Sequence, residues 1–183
     1  PLMIRINGGT AGMQSKAAIL AKRQQKDHFF KSHPQSPLEP ESQMHFEGLA
    51  YYDYNPDLAL TVELDEFEEK KPVPIQTTTG DGRIYQRFGE FIFTVDGEEA
   101  RLTVYSTPHG FFLPFVDANA GGETYPAGRY LDLEQNEDGT FEIDFNLAYN
   151  PFCAYSEAFS CPLTPSENRL KVAIRAGEKT FEK

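Results

Sequence analysis

The stretch Phe91-Ile92-Phe93-Thr94-Val95-Asp96-Gly97-Glu98-Glu99-Ala100-Arg101-Leu102-Thr103-Val104-Tyr105 decides the fold class. Apolar and polar residues alternate on both sides of Asp96-Gly97, and an Asp-Gly pair between alternating runs is a strong signal of a two-residue hairpin turn. That turn pairs Val95 with Glu98, Phe93 with Ala100 and Phe91 with Leu102, so one face carries Phe91, Phe93, Ala100, Leu102 and Val104. Turn chemistry and hydrophobic pattern agree on one register.

Outward from this hairpin the period of two persists. Leu58, Leu60, Val62 and Leu64 alternate with polar or small residues and read as a half-buried strand. After a turn at residues 70–74, Ile75 to Thr79 and Arg83 to Arg87 read as short strands around Gly80-Asp81-Gly82. Phe111 to Asp117 is another strand, and its Pro114 predicts a sheet edge or a bulge. Arg169 to Arg175 alternates as a final strand.

Arg129 to Asn146 forms a second hairpin, with Asn136-Glu137-Asp138-Gly139 at its tip. A two-residue turn would mix apolar and polar residues on both faces. A three-residue loop with Gly139 left-handed pairs Gln135 with Phe141, Leu133 with Ile143 and Leu131 with Phe145, leaving one face apolar. The other face then sets Asp132 opposite Asp144 and Glu134 opposite Glu142. Like charges directly opposed destabilise a strand pair. Open water relieves them by screening. If the face lines a cleft, the carboxylates become candidates for proton transfer or for a hard cation.

Towards the N-terminus, residues 1–12 are Gly-rich and read as a flexible arm. Residues 15–31 read as a helix with Ser15 as N-cap and Ile19, Leu20, Phe29 and Phe30 on one broad face. Pro34, Pro37 and Pro40 end it and open an extended connector. Residues 13–183 are therefore expected to form one mainly β domain, an antiparallel β-barrel or sandwich-like sheet with one N-terminal helix.

Hydrophobic residues make up 39% of the 183 and aromatics 13%, enough for a real core. The net charge of −11 argues against nucleic acid or an anionic membrane as partner. No stretch approaches the roughly 20 apolar residues of a membrane-spanning helix, so a soluble, cytoplasmic protein is expected. The two cysteines, Cys153 and Cys161, stand eight apart in a loop rich in aromatics and prolines. Their spacing suits two buried thiols, a disulfide or a redox pair. Structural zinc is not expected, because none of the four histidines has ligand spacing to a cysteine. No pattern calls for a cofactor.

The strings Phe115-Val116-Asp117, Thr124-Tyr125, Gly128-Arg129-Tyr130-Leu131, Asp144-Phe145-Asn146, Ala148-Tyr149-Asn150-Pro151, Cys153-Ala154-Tyr155, Cys161-Pro162, Asn168-Arg169-Leu170 and Ala176-Gly177-Glu178-Lys179 resemble an uncharacterised prokaryotic family, domain of unknown function 1684. Ser36-Pro37-Leu38 and the segment from Phe46 to Tyr52 look like its early part. The chain departs from the family's Asp-x-Thr at Asp117-Ala118-Asn119, and has Thr164 where the family often has a second Pro. The resemblance implies a shared fold and no activity.

It also singles out Asp117, Tyr125, Arg129, Asp144, Asn146, Tyr149, Asn150 and Glu178 as ligand-binding candidates. Three functions follow as expectations. One is a small-molecule-binding or hydrolase-like β-barrel with a polar pocket around Arg129, Asp144 and Asn146. The second is an interaction or scaffold module using the aromatic segment 149–159, with a homodimer as its simplest form. The third is a thiol-redox protein using Cys153 and Cys161. A buried Arg129–carboxylate pair is the plain structural alternative to a ligand clamp.

Overall fold

The computed structural model describes residues 14–182. Residues 1–13, which include the expected flexible arm, lie outside them. The element order is α1 (Lys16–Ser32), α2 (Pro40–His45), β1 (Ala59–Val62), β2 (Asp65–Glu66), β3 (Pro72–Gln76), β4 (Gly82–Val95), β5 (Glu98–Thr107), β6 (Gly110–Phe115), β7 (Arg129–Leu133) and β8 (Phe141–Asp144), with short 3₁₀ turns between several of them.

The β4–β5 hairpin has the register read from its sequence: Val95 faces Glu98, Phe93 faces Ala100 and Phe91 faces Leu102. Asp96 and Gly97 both have positive φ, 50° and 82°, as this tight turn requires. A bulge at Phe88 shifts the pairing between Arg87 and Gly89 and lets β4 continue to Gly82. Gly89 is confined to a residue without a Cβ: an added one would lie 2.8 Å from the Asp65 carbonyl.

All pairing between these strands is antiparallel. The main sheet runs β2-β4-β5-β6-β7, with β3 also on β4, and a separate ribbon joins β1 to β8. The order does not return on itself, so the strands among the described residues form an open sheet and the expected closed barrel is not found. Its inner face meets the ribbon in one core, where Leu102, Val104, Leu113, Phe115, Ile143 and Phe145 are fully buried. Its outer face carries an aromatic cluster of Tyr85, Tyr105, Phe112 and Tyr130 with Ile75.

Three expectations need correction. First, β7 and β8 do not form a ladder. The loop is as read, with Gly139 at φ 87° and Gln135 bridged to Phe141. Beyond that bridge the strands part: β7 pairs with β6 and sets Asp132 opposite Phe112, while β8 pairs with β1 and sets Asp144 opposite Ala59. Asp132 and Asp144 are therefore not cross-strand neighbours. Second, Pro114 is in a strand with neighbours on both sides, not at an edge. The β5–β6 pairing stops at Phe112, and the fully buried Asn168 side chain fills the gap. Its amide accepts from Thr103 N (2.9 Å) and donates to Thr103 O and Pro114 O (2.8 Å each), standing in for the ladder that a proline cannot complete. Third, residues 169–175 keep their alternation, with Val172 and Ile174 buried, but make only one bridge, Val116 to Arg169.

Helix α1 starts at the Ser15 cap, whose hydroxyl accepts from Ala18 N at 3.2 Å. Ile19 and Phe30 are buried as expected, but Leu20 is 41% exposed. Phe30 joins Leu38, Phe46, Ala154 and Tyr155 in a second apolar cluster that fastens the helix to the aromatic loop. The proline connector also contains the short helix α2, with Pro40 in its first turn, where a missing N–H costs nothing. No helix among the described residues is long and apolar enough to cross a membrane.

Candidate functional site

Most of the polar residues singled out in the sequence are spent on holding the chain together. Arg129, 1% exposed, donates to the carbonyls of Ile174 (2.8 Å), Glu178 (3.0 Å) and Ala176, with Asp117 at 3.8 Å and the Phe115 ring 5.2 Å away. Burial lowers its pKa, and the nearby Asp117 opposes that. Asp117 accepts from the Thr124 hydroxyl (2.6 Å) and from Ile174 N (2.9 Å). Glu178, 1% exposed, takes the Lys26 ammonium on one oxygen and Asn150 N (2.8 Å) and the Tyr155 hydroxyl (2.6 Å) on the other. Asn150 donates to Lys179 O at 2.8 Å. Together these clamps seat residues 174–179 against the body of the fold, because buried polar groups are stable only when paired. At the turn, Gly177 has φ 77°, and a Cβ there would lie 2.6 Å from Ala148 O.

Asp144 and Asn146 do touch. The Asp144 side chain caps the 3₁₀ turn that follows β8: its Oδ1 accepts from Asn146 N and Asn146 Nδ2, both at 2.9 Å. Asn146 is otherwise occupied by the backbone of Asn55, through 2.8 Å bonds to its N and its O. Asp144 Oδ2 is different. Asp144 is only 6% exposed, and Oδ2 is shielded from solvent with no hydrogen-bond partner among the described residues. Burial raises the Asp144 pKa; the bonds from Asn146 and the charges of Arg23 and Lys22 pull the other way.

Two hollows flank the Asp144–Asn146 pair. The larger, about 1090 Å³, is lined by Asp132, Glu134, Glu142 and Asp144, by Tyr85, Phe111 and Phe112, and by Lys22, Arg83 and His109 among others. All four carboxylates of the polar face read from the sequence therefore border one space, although the pairing that suggested it does not exist. The smaller, about 190 Å³, lies under α1 between Lys22, Arg23, Lys26, Tyr51, Asn146, Tyr149 and Glu178. Arg129 lines neither. Shielded polar atoms without partners also mark both hollows: Gln14 Oε1 and Asp144 Oδ2 belong to residues lining the larger, Arg23 Nε and Tyr51 Oη to residues lining the smaller.

Tyr149 spans the region. Its hydroxyl donates to Asp132 Oδ2 at 2.7 Å and its ring stands 5.2 Å from the Lys26 ammonium. Glu142 accepts from Thr61 Oγ1 and Asn136 Nδ2, each at 3.2 Å. Tyr125 stands apart, 3.8 Å from Cys153 Sγ. Both cysteines are free thiols, and Cys161 Sγ accepts from Cys153 N at 3.4 Å. Burial, with Cys161 beside it, pushes the Cys153 pKa up to about 11, which keeps the thiol protonated and a poor nucleophile near neutrality. No group of three or more Asp, Glu, His or Cys among the described residues is placed to hold a metal ion.

The sequence reading missed the basic face of α1. Lys22, Arg23 and Lys26 carry a helical spacing that puts them on one side, but only the fold shows that side turned towards the body. There the Arg23 guanidinium donates to Tyr52 O (2.8 Å) and lies 4.5 Å from the Tyr51 ring.

The family described as "Protein of unknown function (DUF1684)" matches residues 44–179. The solution NMR structure of an uncharacterized protein from Haloarcula marismortui is 38% identical in sequence, with 90% of this chain and 94% of that one covered and a TM-score of 0.67. None of the curated proteins matches.

Proposed function

We propose, for a chain that belongs to the DUF1684 family of proteins of unknown function, that it binds a small polar molecule in the acidic hollow beside Asp144. The observation that carries this reading is the Asp144 carboxylate. A carboxyl oxygen shut away from water without a hydrogen-bond partner is costly, and proteins rarely keep one for stability alone. Asp144 lines a hollow of about 1090 Å³, a size suited to a metabolite. Aromatic and acidic residues share that wall, so apolar area for contact and polar groups for orientation are both at hand.

The neighbouring clamps support the same assignment. Arg129, Asp117 and Glu178 hold the polypeptide; of the two buried candidates that keep an unpaired oxygen among the described residues, Asn150 and Asp144, only Asp144 lines the larger hollow.

A thermal-shift screen of the wild type and Asp144→Asn against polar metabolites and divalent metals tests the reading. A compound that stabilises the wild type by several degrees and leaves the variant unmoved is the expected result. Equal shifts in both proteins, or none across the library, would remove the site.

A further inference from the structure

The hollow carries a charge pattern that selects among small molecules. Its wall holds four carboxylates, Asp132, Glu134, Glu142 and Asp144, against two permanent cations, Lys22 and Arg83. Arg83 keeps its charge while its Nη2 donates to Ser160 O at 2.9 Å, so the wall carries a net excess of negative charge rather than four uncompensated carboxylates. Two of the carboxylates already hold neutral donors, the Tyr149 hydroxyl on Asp132 and the Thr61 hydroxyl on Glu142. Such bonds keep an anion in place without cancelling its charge. Asp144, which lines the hollow, has an Oδ2 that is shielded and meets no donor among the described residues. Elsewhere in the same wall, Tyr85 and Phe112 are stacked with ring centroids 5.5 Å apart, and Phe112 meets Tyr130 edge-on at 4.8 Å. Aromatic faces attract cations and flat apolar bodies alike.

We infer that the ligand of this hollow is an organic cation, an ammonium or amidinium group carried on a small apolar body. The inference rests on the binding reading above and adds the ligand's class. The cationic head donates to Asp144 Oδ2 within the acidic wall, and the apolar part lies on Tyr85, Phe111 and Phe112. A bare metal ion fits less well, because no three of these carboxylates converge as ligands among the described residues. An anion would face a wall whose carboxylates outnumber its permanent cations.

The test is calorimetric titration with three compounds of matched shape: 2-phenylethylamine, 2-phenylethanol and phenylacetate. The amine is expected to bind about tenfold or more tightly than either of the others, and about tenfold more weakly to Asp144→Asn than to the wild type. Glu134→Gln, a change on an exposed side chain that leaves the fold alone, is expected to weaken the amine severalfold and to leave the alcohol unaffected. Equal affinity for the alcohol or the acid overturns the cation assignment while leaving a small-molecule site standing. Undiminished amine binding in both variants also overturns it, since the amine would then be held by the acidic surface at large. If none of the three binds but a library compound shifts the wild type and not Asp144→Asn, the class is wrong and the site is right. If no compound at all distinguishes the two proteins, the binding reading itself fails.

Discussion

Asp144 shows how one residue can be structural through one oxygen and available through the other. Its Oδ1 caps a turn, and its Oδ2 meets no donor. Burial raises its pKa above the ordinary 3.8, so the folded protein holds this proton more tightly than the unfolded chain. The sign follows by linkage: the favourable contribution of protonated Asp144 is complete below the unfolded value and is lost as pH rises through the higher, folded value. Asp144→Asn keeps an acceptor for Asn146 and cannot ionise. The melting temperature of the variant minus that of the wild type is therefore expected to increase from about pH 4 towards pH 7, each 1 kcal/mol appearing as roughly 2–4 °C for a chain of this size. Groups whose pKa is lowered, such as Glu167 beside Arg87, act in the opposite sense but are common to both proteins and drop out of the difference. A difference that shrinks over that range would mean that Oδ2 finds a donor in the folded protein. At the same scale, Arg129 marks the limit of reading from sequence. A buried Arg and an Asp were legible as a pair, yet the guanidinium spends its donors on the carbonyls of residues 174, 176 and 178, which no local pattern relates to position 129.

Among the elements, legibility tracked how local the deciding interaction was. The β4–β5 hairpin could be read residue by residue because its turn and its apolar face both lie within 15 residues. The tip of the 129–146 hairpin was legible for the same reason, but the choice of partner strand was not: β8 joins β1, which lies far from it in sequence. The alternation of 169–175 reports burial correctly and says nothing of whether a neighbouring strand is free to pair. Helix α1 belongs with these distant effects. A 17-residue helix with no acidic residue in its first turn is marginal alone, so its docking decides its stability. The anchor is Phe30, 1% exposed, edge-on to Tyr155 with centroids 4.8 Å apart. Phe30→Ala is expected to cost about 3–5 kcal/mol at that contact. Because the Phe30 cluster is separate from the main core, amide hydrogen exchange should quicken across residues 16–32 while the β5 amides around Leu102 and Val104 stay protected. Uniform acceleration across both elements would show instead that α1 and the sheet unfold as one cooperative unit.

At the scale of the whole molecule the governing quantity is a net charge of −11. Ion pairs such as Arg87–Glu167 at 2.8 Å and Arg101–Glu90 at 2.5 Å engage some carboxylates, but 28 acidic residues against 17 basic ones leave a net negative excess that no cation of the chain can balance. Repulsion of this kind opposes the compact state and is screened by salt, the Debye length falling from about 30 Å at 0.01 M to about 3 Å at 1 M. The melting temperature should therefore rise by several degrees between about 0.02 M and about 0.5 M sodium chloride, then level off, with potassium chloride giving the same curve. A fall with salt would show that the ion pairs outweigh the general repulsion. The acidic hollow answers the same variable with the opposite sign. A cation drawn to Asp132, Glu134, Glu142 and Asp144 loses affinity as screening grows. Measured together on one protein, fold stability rising with salt while amine affinity falls would separate the diffuse charge of the surface from the charge concentrated at the site. If both rose together, apolar contact with the aromatic wall would be holding the ligand and the carboxylates would be bystanders.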